Sequence, residues 1–425
     1  MRYIYHHRTA GRGGEGIHIT SVVHALRAAG HDVDLVSPPG IDPIRAAALS
    51  PLDKGAQDPS GIVRLWQWVS CSCPQAFFEV FELLYNVYAV LRLLPLFLRR
   101  RQAVYYQRHA FFLFAGVWLA KCFGMPVILE VNEVAGVERA RAQRWVRLAR
   151  WLGQHTFRRA DEIITVSRFL QRTVLERGGR PGHVHVVPNA IDPERFRRRQ
   201  GSVVRERLGL SQARVLGFLG WFDRWDRLDR LIDLMQDLRH SHPDVRLLLV
   251  GDGPAACELS DRIAQENLTG HFIFAGPVAR SDVADYLDAM DICILPDATE
   301  FCSPLVLFEF MAMGKPVVAP DVEPICDVLV HGRTGCIFER GDHGALRVAV
   351  ENLLNDRTLA KGIGEAARQD VLAQHTWRAV AEFVERLAVP YVEAGGRTEH
   401  AARQPKAALA RPETSVLAFL RNFHL

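Results

Sequence analysis

The segment Pro296–Pro320, PDATEFCSPLVLFEFMAMGKPVVAP, concentrates residues able to do chemistry. Its pattern predicts a strand ending at Pro296, a polar loop carrying Glu300, and a helix with Ser303 as N-cap and Pro304 as first helical residue. A helix that starts where a parallel strand ends turns its first amides, here those of Leu305 and Val306, toward an anion. A diphosphate suits such a site. Glu309 follows on an otherwise apolar helix, LVLFEFMAM. A carboxylate buried there needs hydrogen-bond donors, which ribose hydroxyls or an internal arginine would supply.

Two other motifs carry less. Gly11, Gly13 and Gly16 form GxGxxG, but His7–Ala10 separate them from the first strand, and the second strand ends in Ser37-Pro38-Pro39 without an acid. That excludes a nicotinamide dinucleotide fold signature. A flexible glycine loop entering a helix still suits close backbone approach to a ligand. Asp32-Val33-Asp34 has a metal-binding spacing, yet it opens a strand at the end away from any ligand edge. A solvated strand start is expected there, and no catalytic metal.

Strand and helix patterns that would position these residues alternate through two series. In the first, strands are expected at Arg2–His6, Val33–Ser37, Ala103–Gln107, Pro126–Val131, Glu162–Val166 and His185–Pro188. Helices are expected at Ile17–Ala29 and from Ser167, and residues 38–62 read as loop. In the second, strands are expected at Arg214–Gly220, Val245–Val250, Phe272–Ala275, Asp291–Pro296 and Pro316–Ala319, with a helix at Arg227–Arg239. Short apolar runs without polar alternation fit parallel strands covered on both faces. The expected fold is α/β, two Rossmann-like doubly wound lobes facing each other across a cleft that holds the ligand. The expected division is 1–188 and 189–375 for the lobes, 376–395 for a helix crossing back to the first lobe, and 396–425 for a loosely ordered tail.

The chain of 425 residues is 48% hydrophobic and 24% charged, which excludes disordered, collagen-like and disulfide-scaffold classes. Its eight cysteines are scattered, with only Cys71 and Cys73 close together, so reduced thiols are expected. Residues 1–30 lack the apolar core of a secretion signal, and the reading is a cytoplasmic protein. Residues 1–190 carry 24 basic and 14 acidic side chains, whereas 191–390 carry 23 and 31. The first half therefore suits an anionic partner. The stretch Arg139–Arg159, with Arg141, Arg144, Arg147, Arg150 and Arg158 and no acid, interleaves Trp145 and Trp151. It suits an anionic membrane surface, with the protein peripheral at the inner face of the membrane. Residues 77–98 are apolar but interrupted by Glu79, Glu82, Arg92 and Pro95, and read as a docked or interfacial helix rather than a span. No RNA-binding signature accompanies the basic residues, so nucleic acid is not an expected partner.

Glu300…Glu309-Phe-Met-Ala-Met-Gly-Lys-Pro-Val-Val-Ala resembles the paired-glutamate signature of retaining glycosyltransferases of family 4, which have the GT-B fold. Supporting fragments are Gly16-Ile-His-Ile19, Ile128–Asn132, Ala160–Ser167, Val187–Asp192, Gly251–Pro254 and Gly332–Gly335. The EFCSPL loop, with Glu300 nine rather than eight positions before Glu309, resembles one subgroup. The resemblance implies a nucleoside-diphosphate sugar as donor substrate, no cofactor, and a glycan or lipid-linked acceptor in envelope or exopolysaccharide biosynthesis. Glu309 matches the ribose-holding glutamate, and Glu300 or its backbone would meet the sugar. Asn189 matches the asparagine opening the second lobe. Gly14, Asp252, Gly253, Ser303, Pro304, Leu305 and Val306 fall on the donor side. His109, with Arg108, Glu130 and Asn132, falls on the sugar and acceptor side. The family's two diphosphate-gripping cations are replaced by Trp221 and Asp226, and Val306 stands where the subgroup often has lysine. Arg224 and Arg227 are the nearest substitutes. The alternative reading is a catalytically degenerate homologue acting as a binding or scaffold subunit.

Overall fold

The computed structural model describes residues 1–9, 11, 13–44, 75–100, 102–137, 143–197 and 202–402, with side chains of the last helix described to Glu393. Two six-stranded parallel sheets form its two layers of architecture. The first has β1 (Arg2–His6), β2 (Asp32–Val36), β3 (Val104–Arg108), β4 (Val127–Val131), β5 (Glu162–Thr165) and β6 (Val184–Val186), in the order β2-β1-β3-β4-β5-β6. Its helices are α1 (Gly13–Ala28), α2 (Gln75–Arg99), α3 (Ala115–Cys122), α4 (Val146–Arg159) and α5 (Arg168–Glu176).

After α6 (Ser202–Arg207), the second lobe follows β7 (Arg214–Trp221), α7 (Asp229–Ser241), β8 (Val245–Asp252), α8 (Ala256–Gln265) and β9 (Phe272–Gly276). It continues through α9 (Val283–Asp288), β10 (Ile292–Ile294), α10 (Leu305–Ala312), β11 (Val317–Pro320), α11 (Glu323–Cys326) and β12 (Cys336–Phe338). The chain ends in α12 (His343–Asn355), α13 (Arg357–Gln374) and α14 (Trp377–Ala402). The order is β12-β11-β10-β7-β8-β9.

Every residue of β3, β4, β10 and β11 is buried, because helices cover both faces of each sheet. In each sheet the chain reverses its direction of travel once: between β1 and β3 in the first, between β7 and β10 in the second. Crevices open beyond the carboxyl ends of the strands at such switch points. The loops after β1, β3, β7 and β10 flank these crevices. Trp377, Ala381, Val384 and Ala388 of α14 belong to the same buried cluster as Tyr3, Ile19 and Leu26, so this helix packs on the first lobe.

Several boundaries differ from the sequence reading. The short β12 pairs beside β11 as an edge strand, and a three-residue apolar run gives no periodicity to detect it. The strand expected to Pro296 ends at Ile294. α14 extends to Ala402 rather than 395. Asp32 and Asp34 are not simply solvated: Arg100 reaches both, at 2.5 and 2.7 Å. Cys71, Cys73, Arg139, Arg141, most of the 38–62 loop and residues 403–425 lie outside the described residues.

Candidate active site

The glycine loop after β1 turns sharply into α1. Gly11 and Gly13 have φ of +65° and +58°, which an L side chain rarely adopts. A Cβ on Gly16 would lie 2.1 Å from the Gly11 carbonyl oxygen, so the loop closes only over glycine. Gly14 faces the other lobe, where a Cβ would touch Leu305 Cδ1 at 3.5 Å.

Beyond β3 and β4 the polar residues converge on one carboxylate. Glu130 is 1% exposed. Its Oε1 accepts from Arg108 Nη1 at 2.7 Å and Asn132 Nδ2 at 2.5 Å, and its Oε2 accepts from the Tyr106 hydroxyl at 2.8 Å. His18 Nε2 lies 2.9 Å from Oε1, an ion pair when the ring is protonated. Burial pushes this carboxyl up, but His18, Arg108 and the Tyr106 hydrogen bond together outweigh burial and hold it well below the usual carboxylate range. The cluster therefore presents a fixed, ionised Glu130 under a buried Arg108. His109 stands apart from it. Burial pushes its imidazole down to about 3, its Nδ1 is enclosed without a hydrogen-bond partner, and its ring packs on Phe111 and Phe157. It is neutral at physiological pH.

The turn after β7 departs most from expectation. Arg227 does not open a helix. It closes a 3-10 turn, Arg224–Asp226, at φ +48°, and α7 starts at Asp229. Its guanidinium folds back on Asp229, with Nη2 2.8 Å from Oδ2. Asp226 accepts from the Asp223 amide in a capping box. Burial pushes Asp226 up to about 7, and the charges of Asp223 and Asp297 add to this against the opposing hydrogen bond from Asp223. It is thus only partly ionised at neutral pH, and the full repulsion expected between Asp226 and a diphosphate is not present. Trp221 is 63% exposed at the end of β7, beside Asp252, whose Oδ1 accepts from the Gly253 amide. A Cβ on Gly253 would meet the Phe222 backbone at 2.5 Å, which fixes that loop against the turn.

Two cations not found from the sequence occupy this edge. Arg340 Nε donates to buried Asp297 Oδ1 at 2.7 Å, and Arg230 Nη1 lies 3.6 Å from Oδ2. Both guanidiniums thus gather on the one buried carboxylate at the end of β10. Arg340 Nη1 also reaches Glu300 Oε1 at 3.5 Å. Glu300 and Arg340 line an interlobe cavity of about 330 Å³ with Thr299 and Phe301, opposite Gly136 and Phe169 of the first lobe. The signals for these arginines were faint, since Arg340 follows the undetected β12 and Arg230 sits in an ordinary amphipathic helix.

At α10 the N-cap position belongs to Pro304, not Ser303. Ser303 is 1% exposed, and its hydroxyl accepts from the Asn189 amide at 3.2 Å instead of capping the helix. Asn189 Nδ2 donates to the Ser303 carbonyl at 2.6 Å, and Asn189 Oδ1 accepts from His18 Nδ1 at 2.7 Å. His18, within the Gly-Ile-His-Ile fragment, was not singled out as a site residue. Leu305 packs on the first-lobe cluster, and Val306 on the second-lobe core. Glu309 is buried and pairs with Arg280 at 2.5 Å, the internal-arginine arrangement. The site thus brings together Gly14 and Leu305, and Arg108, Glu130 and Asn132. Arg224 is exposed, Arg227 is turned to Asp229, and His109 is enclosed.

Residues 12–195 match the family model described as Glycosyltransferase Family 4, and residues 213–356 match Glycosyl transferases group 1. The chain is 27% identical to 2-deoxystreptamine glucosyltransferase of Streptomyces kanamyceticus over 57% of its own length and 65% of that relative, so less than two thirds of that relative is spanned. It is 26% identical to glycogen synthase of Mycobacterium tuberculosis, over 87% of this chain and 89% of that one. The fold matches Anabaena Alr3699/HepE, solved in complex with UDP-glucose, with a TM-score of 0.66 at 17% identity over 91% of this chain and 98% of that one.

Proposed function

This chain is a glycosyltransferase of the GT-B fold with a family 4 domain and a group 1 domain, and from that premise we propose that it transfers a sugar, with retention, from a nucleoside-diphosphate sugar to a glycan or lipid-linked acceptor. The observation that carries the reading is the interlobe cavity, where Glu300 and Arg340 of one lobe face Gly136 and Phe169 of the other. UDP-glucose is the first donor to test, because the structurally similar HepE was solved with it.

In this reading the diphosphate lies at the start of α10, near Ser303, Pro304, Leu305 and Val306. Arg340 and Arg230 take over the charge that Trp221, Asp226 and Val306 do not supply. Glu309 keeps one oxygen on Arg280 and offers the other to the ribose hydroxyls. The acceptor hydroxyl attacks the anomeric carbon on the face that the diphosphate leaves. Its proton passes to the departing phosphate oxygen, so no side-chain nucleophile is required. The protein orients both substrates and stabilises charge on the leaving group. Neutral His109 and the Arg108–Glu130 pair stand on the acceptor side, and Glu300 holds the sugar. The basic first lobe supports a peripheral position at the inner face of a membrane, with a role in envelope or exopolysaccharide biosynthesis.

The test is calorimetric titration with a panel of nucleoside-diphosphate sugars, followed by release of nucleoside diphosphate with candidate acceptors. Binding that Glu300→Gln weakens supports the reading. A folded protein that binds none of the panel overturns it.

A further inference from the structure

The helix α2 is turned inside out. Apart from Arg92 and Arg99 its polar side chains face the lobe, where they are engaged. Glu79 accepts from the amides of Arg144 and Trp145 at 2.6 and 2.8 Å, and Glu82 pairs with Arg8 at 2.6 Å. Asn86 accepts from the Phe114 and Ala115 amides and donates to Phe112 O. The opposite face is apolar and exposed. Phe77, Leu84, Val87, Leu91 and Leu98 are each more than half accessible, and Leu91 reaches 68%. The helix is long and apolar enough to cross a membrane, yet its inward polar face is anchored to the lobe by these bonds. Among the described residues this face is uncovered over about 30 Å, at 1.5 Å per residue. Large exposed apolar surfaces of this kind mark interaction sites.

We infer that α2 lies in the plane of an anionic bilayer with its Phe77–Leu98 face inserted among the acyl chains. This deepens the peripheral placement proposed above, and does not depend on glycosyl transfer.

Several observations select a bilayer over a second copy of the chain. Phe77, Leu84, Leu91 and Leu98 recur every seven residues, as a coiled-coil seam would, but the flanks carry Phe81, Tyr88 and Val90 where a seam has paired charges. The exposed face is a broad apolar band with Pro95 within it. The charged residues at its far end, Arg92 and Arg99, are exposed and basic, as lipid phosphates require. The neighbouring α4 shares a buried cluster with Leu83 of α2 and adds exposed Trp151 beside exposed Arg147 and Arg150. Two copies meeting through this lobe would also oppose like charges, with 24 basic against 14 acidic residues in 1–190.

The test is flotation of the full chain with vesicles of phosphatidylcholine alone and of phosphatidylcholine with phosphatidylglycerol. Wild type is expected to float with the anionic vesicles and to retain part of its binding at high salt. Leu84→Glu with Leu91→Glu should lower partitioning by at least about tenfold, with melting temperature and UDP-glucose titration unchanged. Arg144→Gln with Arg147→Gln should lose only the salt-sensitive part. Four outcomes overturn the inference: wild type floats with neither vesicle; the glutamate variant binds as wild type does; only the α4 variant loses binding; or sedimentation shows a dimer that the glutamate variant splits. A fall in melting temperature of the glutamate variant would also overturn it, since the face would then be packed within the chain. Loss of vesicle binding with intact donor binding concerns only the membrane, and the converse only the transferase reading.

Discussion

Asp226→Asn is expected to stabilise the protein at and above neutral pH and to flatten its stability profile between about pH 4 and pH 7. Burial, reinforced by Asp223 and Asp297, raises this carboxyl from 3.8 to about 7. Within that window the folded state binds a proton that the unfolded chain has released. Stability therefore falls as pH rises through the window and is level above it. At about 1.4 kcal/mol per pH unit, the gap sets a ceiling of about 4 kcal/mol on the cost of ionised Asp226. Partial solvent contact screens it, and about 2 kcal/mol is the expected effect. Asparagine keeps an oxygen for the Asp223 amide, so the capping box survives. Urea unfolding at about pH 5 and about pH 8, on wild type and variant, gives both slopes. The same substitution should strengthen donor binding above pH 7, where wild type carries the anion beside the diphosphate. If both proteins lose stability in parallel across the window, Asp226 is not the titrating group and the charge account of this turn is wrong.

Arg340→Ala is expected to reduce turnover by about two orders of magnitude, a loss typical of a preorganised group at a leaving anion, and Arg230→Ala by somewhat less; Arg227→Ala, whose guanidinium is held by Asp229, should leave turnover near wild type. Equal losses from all three in steady-state kinetics would contradict the assignment. Glu309→Gln should weaken donor binding by about 1.5–3 kcal/mol in calorimetry, and unchanged affinity in a folded variant would remove the ribose role. Glu130→Gln leaves Arg108 buried without its counter-charge, and should cost about 3–5 kcal/mol in denaturant unfolding; a loss below about 1 kcal/mol would mean that the cluster is not electrostatically closed. Arg227→Gly should relieve the left-handed backbone at φ +48° for a gain of about 1 kcal/mol, offset in part by loss of the Asp229 pair.

The two sheets were legible because a parallel strand covered on both faces must be a short apolar run, and Tyr3–Tyr5, Val127–Leu129 and Leu247–Val250 are such runs. The candidate site was legible where a local rule applies, as with the glycine loop and the switch from strand to helix around Pro296–Leu305. It was illegible where the partner comes from far along the chain. Arg340 meets Asp297 across 43 positions, and Ser303 gives up a local cap for a hydroxyl contact with Asn189. Arg280 and Glu309 approach from separate elements in the same way. In α2 the apolar stretch was visible but the sense of its faces was not, because a face carrying Glu79 and Glu82 ordinarily points to water and here points to Arg8 and the Arg144 and Trp145 amides.

The Glu130 cluster and the loop before α10 are joined by a short chain of contacts. Glu130 lies against His18, His18 donates to Asn189, and Asn189 donates to Ser303, each step under 3 Å. The Ser167 hydroxyl donates to the Phe301 carbonyl at 3.1 Å, and Leu305 sits among first-lobe side chains. Residues 301–305 therefore belong to the second lobe by sequence but are held by the first. Each such hydrogen bond contributes about 1 kcal/mol net. Together they are strong enough to set the position of the loop and weak enough to be exchanged. A rigid separation of the lobes breaks the His18–Asn189 and Ser167–Phe301 hydrogen bonds, leaves Glu130–His18 intact within the first lobe and Asn189–Ser303 within the second, and moves Glu300 away from Gly136 and Phe169 across the cavity. The loop that carries Glu300 is therefore the loop that the first lobe grips, so the width of the cavity and the position of Glu300 within it are set together.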